Sequence, residues 1–145
     1  MQKNSLENNI FNSSDYSLII RGIDIDLEEL KSKLGFNENI KLIKQGEFIS
    51  KVVGKSKKDV YIYSECNDNE DEELKLLYSF LEHLISKKAT IKEYAQKHEV
   101  VIRIFIQSSL AQMYYSINNK VLHKLHELDL PVELSILSWG EVIDT

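Results

Sequence analysis

The chain reads as a single α+β domain: a mostly antiparallel sheet with helices packed on it, in the order β-α-β-β-α-α-β-β-α-β. Three observations predict this. The length, 145 residues, fits one hydrophobic core, since single cores usually serve roughly 100–200 residues. Hydrophobic residues make up 43% and charged residues 28% of the chain, an ordinary globular balance. Segments with a two-residue apolar period are interspersed with segments of three- and four-residue period, and helices segregated over an antiparallel sheet are the natural way to bury both. The strand–helix units "SLIIRGIDIDLEELKSKLGF" and "QMYYSINNKVLHKLHELDL" share a pattern, which suggests two similar halves.

Residues 1–14 are polar and rich in Asn and Ser, and read as a flexible N-terminal tail before a domain at 15–145. "YSLIIRGI" alternates as a strand, with Tyr16, Leu18 and Ile20 on one face and Ser17, Ile19 and Arg21 on the other. In "DIDLEELKSKLGF" Asp26 is placed to cap a helix whose stripe is Leu27, Leu30 and Leu34, and Gly35 closes it. "IKLIKQGEFISKVV" reads as one or two short strands broken near Gly46, and "DVYIYSE" as a better strand with Val60 and Ile62 opposite Tyr61 and Tyr63. Leu74, Leu77, Tyr78, Leu81, Leu84 and Ile85 then recur at helical steps. "ATIKEYAQKHE" continues as a second helix with Ile91, Tyr94 and Ala95 inward. "VVIRIFIQ" is the strongest strand, both faces partly covered. "AQMYYSI" is expected to pair with it, followed by a helix carrying Val121, Leu122, Leu125 and Leu128 and a last strand, "VELSILSW", opened by Pro131.

The single cysteine, Cys66, excludes an internal disulfide and a four-thiolate zinc site. No apolar run approaches the roughly 20 residues that span a bilayer, and "MQKNSLENNIFNSS" lacks a signal-peptide core. The expectation is a cytoplasmic protein without a membrane partner. The net charge is −5, and no basic stripe offers a nucleic-acid footprint. The lysines of "KVVGKSKKD" (Lys51–Asp59) flank a glycine and a serine and read as a solvated loop.

The stretch "ECNDNEDEEL" places Glu65, Asp68, Glu70, Asp71, Glu72 and Glu73 within nine residues. A calcium loop fails on register: starting at Asp68 puts Glu73 where glycine is required and Ser79 where the bidentate glutamate is required. The local reading is a helix start, capped by Asp68 or Asn69, with Glu70 to Glu73 in a first turn where carboxylates favour the dipole. His123 and His126 are three apart on a helix but lack a third metal ligand nearby. Cys66 is surrounded by acids, which raise a thiol's pKa and suit it poorly as a nucleophile. No phosphate loop, nucleophile elbow or HExxH is present, so neither an enzyme, a cofactor nor a metal is expected. Arg21 and Arg103 sit in mid-strand. If their strands are neighbours, their guanidinium groups could hold an anion, or each could pair with an internal acid such as Glu133 or Glu47. Tyr61, Tyr63 and Trp139 supply the aromatic composition of a binding hot spot, which is equally that of a sheet face under a helix.

Several stretches together are similar to a bacterial family known as domain of unknown function 4279. They are the opening strand with "DLEELKSKLGF", the "KQGE" at Lys44–Glu47, the helical pair ending in "KKATIKEYAQKH", the long apolar strand, and "VLHKLHELDLPVELSI". The resemblance covers about residues 15–138 and departs from the family at "GFNENIKL", which lacks a usual proline and threonine, and at the closing "SWG". It implies an immunity protein, because some members lie beside polymorphic toxins, including contact-dependent growth inhibition systems. Such a protein binds and neutralises a cognate toxin domain, and an acidic chain suits a basic nuclease. The expected partner-binding residues are Asp68, Glu70, Asp71, Glu72 and Glu73, with Tyr61, Tyr63 and Trp139 as anchors. The alternative is a small-ligand-binding or regulatory domain using Arg21 and Arg103.

Overall fold

The computed structural model describes the backbone of residues 12–141 and the side chains of residues 13–138. The elements are β1 (Asn12–Gly22), α1 (Leu27–Leu34), β2 (Ile40–Ile43), β3 (Phe48–Ser50), β4 (Gly54–Lys55), β5 (Asp59–Asn67), a 3₁₀ turn (Glu72–Leu74), α2 (Lys75–Ile85), α3 (Lys88–Ala95), β6 (Glu99–Leu110), α4 (Asn119–Leu128) and β7 (Val132–Glu141). The main sheet has the order β2-β5-β1-β6-β7, and β3 with β4 forms a separate two-stranded ribbon. All neighbours in the main sheet are antiparallel except β6 and β7, which are parallel. This is the mixed α+β architecture the periodicity predicts.

Strand alternation gives the sheet two unlike faces. On one, Tyr16, Leu18 and Ile20 of central β1 join Tyr61 and Tyr63 of β5 and Val100, Ile102, Ile104 and Ile106 of β6. The helices add Leu30 and Leu34, then Leu77, Phe80, Leu81 and Leu84, then Ile91, then Val121 and Leu128 to the same core. Each of these large side chains contributes about 1.5–3 kcal/mol by leaving water, which is what holds short helices of eight to eleven residues on the sheet. The other face carries Ser17, hydrogen-bonded to Ser64 across the β1–β5 pair at 2.8 Å, and the two arginines.

Helix α1 forms as its sequence dictates. Asp26 accepts from the Glu29 amide at 3.1 Å, and Gly35 ends the helix in the left-handed region at φ 68°.

Elsewhere the structure corrects the expectations. Residues 1–11 of the proposed tail lie outside the described residues, but Asn12–Ser14 already belong to β1. "KVVGKSKKD" is not only loop: Gly54–Lys55 pair back on β3, and the ribbon leaves Phe48, Val52 and Val53 exposed. "AQMYYSI" is not a strand. Residues 113–118 run without ladder partners into α4, so the second strand–helix unit does not match the first and the two-halves expectation fails. Its alternation is nonetheless used: Met113, Tyr115 and Ile117 are partly buried while Gln112, Tyr114 and Ser116 are exposed. Leu122, expected in the α4 stripe, is 48% exposed, because Val121 and Leu128 take the contact with α2 and the sheet.

Candidate functional site

The acidic stretch folds differently from a simple helix first turn. After β5 the Asn69 amide donates to Asn67 Oδ1 at 3.0 Å, an Asx turn. The chain then passes through the 3₁₀ turn, with Glu73 and Leu74 both in the left-handed region at φ 55° and 57°. Non-glycine residues there carry roughly 1–2 kcal/mol of strain each, so something must fix them. Asp71 does much of this. Its Oδ1 accepts from the Leu76 amide at 2.8 Å and its Oδ2 from the Leu77 amide at 3.0 Å. Its Oδ2 also accepts from the Tyr16 hydroxyl at 2.7 Å. Asp71, not Asp68 or Asn69, therefore satisfies the orphan amides at the start of α2. From the other side the Asn118 side-chain amide donates to the Glu73 carbonyl at 3.1 Å, while its Oδ1 caps α4 through the Val121 amide at 3.0 Å.

The five acids thus divide. Asp71 is half-buried and committed to the fold, whereas Asp68, Glu70, Glu72 and Glu73 are exposed. Among the described residues, none of these four carboxylates is in an ion pair.

Beside this loop lies a cavity of about 670 Å³, bounded by the start of β1, the end of β6, the 112–118 connection and residues 70–74. Leu74, Ile106 and Leu110 give it an apolar floor, and Glu70, Asp71 and Glu73 contribute carboxylates. No lysine, arginine or histidine is among the described residues that line it. Two hydroxyls in its wall, Ser14 Oγ and Tyr115 Oη, are buried beside the Tyr16 hydroxyl. Burial holds the Tyr16 phenol far above its ordinary range, the Ser14 hydroxyl beside it acts the other way, and the bond to Asp71 raises it further. Burial likewise raises Tyr115. The cavity combines hydroxyls and amides, which both donate and accept, with carboxylates that make its field negative. The acids of this wall are legible in the sequence, but Ser14 and Tyr16 are not, because Ser14 reads as tail and Tyr16 as a core position of its strand.

Other expected site residues lie elsewhere. Tyr61 is wholly buried and Tyr63 is 5% exposed, so neither is a surface anchor. They face the helices, where Tyr63 stacks on Phe36 with ring centroids 4.1 Å apart. Its hydroxyl donates to Glu65 at 2.6 Å, and His83 Nδ1 lies 3.0 Å from the same oxygen, at the wall of a second, shallower cavity of about 460 Å³. Trp139 is on β7, and its side chain lies outside the described side chains. Arg21 and Arg103 do converge, but on carboxylates of the chain. Arg21 Nε is 2.9 Å from Glu99 Oε2, and both arginines reach Glu133 Oε2, at 3.8 and 3.5 Å. Cys66 has its thiol pushed up to about 11 by partial burial and by Asp15, which accepts from it at 3.3 Å. His123 and His126 stand on the exposed flank of α4.

No helix among the described residues is long and apolar enough to cross a membrane. Comparison with curated proteins and with solved structures gives no match. A family model does match, over residues 12–139, from the first described residue of β1 nearly to the end of β7, and so spans every element that frames the cavity. The chain therefore belongs to the family described as Domain of unknown function (DUF4279).

Proposed function

We propose that this protein works by binding, as an immunity protein that holds a basic toxin domain in the cytoplasm and blocks its action. The observation that carries the reading is the division of the acidic stretch. One carboxylate fixes the loop, and four, Asp68, Glu70, Glu72 and Glu73, are exposed and in no ion pair among the described residues, with Glu70 and Glu73 lining an open cavity. A rim of like charge steers an oppositely charged partner and raises its rate of encounter by about 10–10³-fold at low salt. The resemblance to proteins encoded beside toxins gives that partner its class, and a basic nuclease is the electrostatic fit. The alternative, an anion at Arg21 and Arg103, has less support, because Glu99 and Glu133 already stand within ion-pair distance of those groups.

The test is a titration against the C-terminal domain encoded immediately upstream, with a growth assay for that domain's toxicity. The expected result is one-to-one binding that abolishes toxicity. Changing Asp68, Glu70, Glu72 and Glu73 to lysine adds two charges at each position and takes the net charge from −5 to +3. That variant should associate at least about tenfold more slowly at low salt and lose most of its salt dependence. Unchanged association rates would remove the acidic rim from the mechanism, and absence of binding would remove the toxin.

A further inference from the structure

We infer that the β3–β4 ribbon docks the protein on a membrane surface of anionic phospholipid, its aliphatic tip entering the headgroup boundary and its lysines meeting the phosphates. This end of the molecule lies opposite the acidic rim, and its role stands apart from the toxin reading. The expectation of no membrane partner rests on the want of a spanning segment, which docking at a surface does not need.

Alternation decides how the ribbon stands. A two-stranded ribbon lying on a domain buries every second residue. Here consecutive Phe48 and Ile49 are 63% and 42% exposed, and none of residues 48–53 is buried. Val52, in the turn between the strands, is 96% exposed and Val53 64%. β3 and β4 pair only with each other, whereas the base of the ribbon is tied down. There the Gly46 amide donates to the Ser56 carbonyl and the Ser56 amide to the Glu47 carbonyl, both at 2.7 Å, and the Gln45 amide donates to Asp59 Oδ1 at 2.8 Å. The tip is an anchored aliphatic projection that no described residue covers, a costly thing to hold in water and a mark of a surface that meets an apolar phase.

Charge names the partner. Residues 40–58 hold six lysines and one acid, a net +5 in a chain of −5, so the remaining residues carry −10. Lys44, Lys51, Lys55 and Lys57 are exposed and in no ion pair among the described residues. The single acid, Glu47, accepts from the Lys44 amide at 3.0 Å. An apolar tip beside clustered lysines matches a bilayer, where acyl chains lie directly beneath anionic phosphates. A nucleic acid would stack its bases on aromatic rings and engage arginine forks, but the tip offers two valines and the ribbon has no arginine. A protein would need an apolar socket ringed by acids to take such a projection, and a fluid bilayer needs no socket. The same layout sets the orientation. The ribbon leads into β5 at Asp59, and the exposed acids begin at Asp68, just past the end of that strand at Asn67. Nine residues at about 3.3 Å each separate the two by roughly 25 Å, about three Debye lengths at physiological salt. An anionic surface therefore attracts the ribbon without repelling the acidic rim, which is left at the far end.

The test is flotation of the full-length protein with vesicles of phosphatidylcholine alone, or of equal parts phosphatidylcholine and phosphatidylglycerol. Binding to the mixed vesicles should be at least about tenfold tighter, and should weaken at least about fivefold from low to high salt. Changing Lys51, Lys55 and Lys57 together to glutamine should weaken it at least about tenfold. Val52→Ser with Val53→Ser should weaken it at least about threefold. All five side chains are exposed, so far-UV circular dichroism and Tm should stay as in the wild type. Val52→Trp, measured against the wild type with its Trp139, should emit at shorter wavelength on mixed vesicles and be quenched by brominated acyl chains. Equal binding to the two vesicles, or binding that ignores the lysine changes, would overturn the proposal. Lysine dependence without valine dependence or quenching would overturn the seating of the tip in lipid and reduce the ribbon to a site for any polyanion. A protein that binds the upstream-encoded domain but no vesicle sinks this proposal alone. One that binds vesicles as described but not that domain leaves it standing and sinks the toxin reading.

Discussion

Replacing Asp71 with alanine removes three hydrogen bonds made by one carboxylate, two from the Leu76 and Leu77 amides and one from the buried Tyr16 hydroxyl. Loss of the helix cap costs about 1 kcal/mol. Loss of a bond between a hydroxyl and a charged acceptor, with the hydroxyl left buried, costs about 1.5–3 kcal/mol more. The expected total, about 2.5–4 kcal/mol, is a large part of the roughly 5–15 kcal/mol that holds a domain together. At this size it corresponds to a fall in Tm of roughly 5–16 °C. Urea unfolding followed by near-UV circular dichroism would measure it. A double-mutant cycle with Tyr16→Phe isolates the Tyr16–Asp71 bond and should give a coupling energy of about 1–2 kcal/mol. Glu70→Ala and Glu72→Ala, two residues of the same acidic run, should change stability by less than about 0.5 kcal/mol. An Asp71→Ala cost under about 1 kcal/mol, or a coupling indistinguishable from zero, would refute the assignment of Asp71 as the keystone of the loop.

Tyr61 is wholly buried with its hydroxyl unpartnered, so Tyr61→Phe should stabilise the protein by about 1 kcal/mol; a loss of stability in chemical unfolding would count against this. Burial raises the phenols of Tyr16, Tyr61 and Tyr63 above their ordinary value. Each stays protonated in the fold and ionises near pH 10 when unfolded, so its contribution is complete below about pH 10 and is lost above it, at about 1.4 kcal/mol per pH unit. Stability measured from pH 8 to 11 should fall steeply only at the alkaline end, and a flat profile would contradict the burial of these hydroxyls. Cys66, with a thiol near 11, should react with iodoacetamide at pH 8 about a hundredfold more slowly than a thiol of pKa about 9, and Asp15→Asn should speed it; alkylation as fast as that of a free peptide thiol would refute the Asp15 contact. Glu133→Gln, at a site 47% exposed between two arginines, should cost less than about 1 kcal/mol in the same unfolding assay, and a larger loss would show that the arginine face is a structural network.

What the sequence discloses here is what short-range chemistry decides. Asp26 and Gly35 cap α1 because every partner lies within one helical turn, and β1 and β6 follow from alternation alone. The cap of α2 could not be read that way. Asp71 is held by Tyr16, 55 residues away, and the two left-handed residues after it belie the helix first turn that its acids suggest. Tyr61 and Tyr63 were placed correctly on one strand face, but composition does not say which face the helices cover. Arg21 and Arg103 illustrate the converse. That they converge depended on β1 and β6 being neighbours, and Glu133 reaches them only because β7 is added parallel to β6.

That parallel pair also explains why there is a cavity at all. An antiparallel successor to β6 could have turned back at once, but a parallel one must begin at the opposite end of the sheet, so the chain has to cross over. It does so from Leu110 through the unpaired 111–118 segment and α4 to Pro131, whose carbonyl accepts from the Ile102 amide at 3.0 Å. Had "AQMYYSI" added to the sheet beside β6, Tyr115 would have taken a ladder position and its neighbours would have closed over Ser14 and Ile106. Instead the segment buries alternate residues without a ladder, and the space it encloses with β1 and the 70–74 loop remains open. Asn118 ties the two walls by bonding the Glu73 carbonyl while it caps α4. The acidic rim and the hydroxyl-lined wall are therefore parts of one device, joined by Asn118 and by the Tyr16–Asp71 bond and produced by one topological choice.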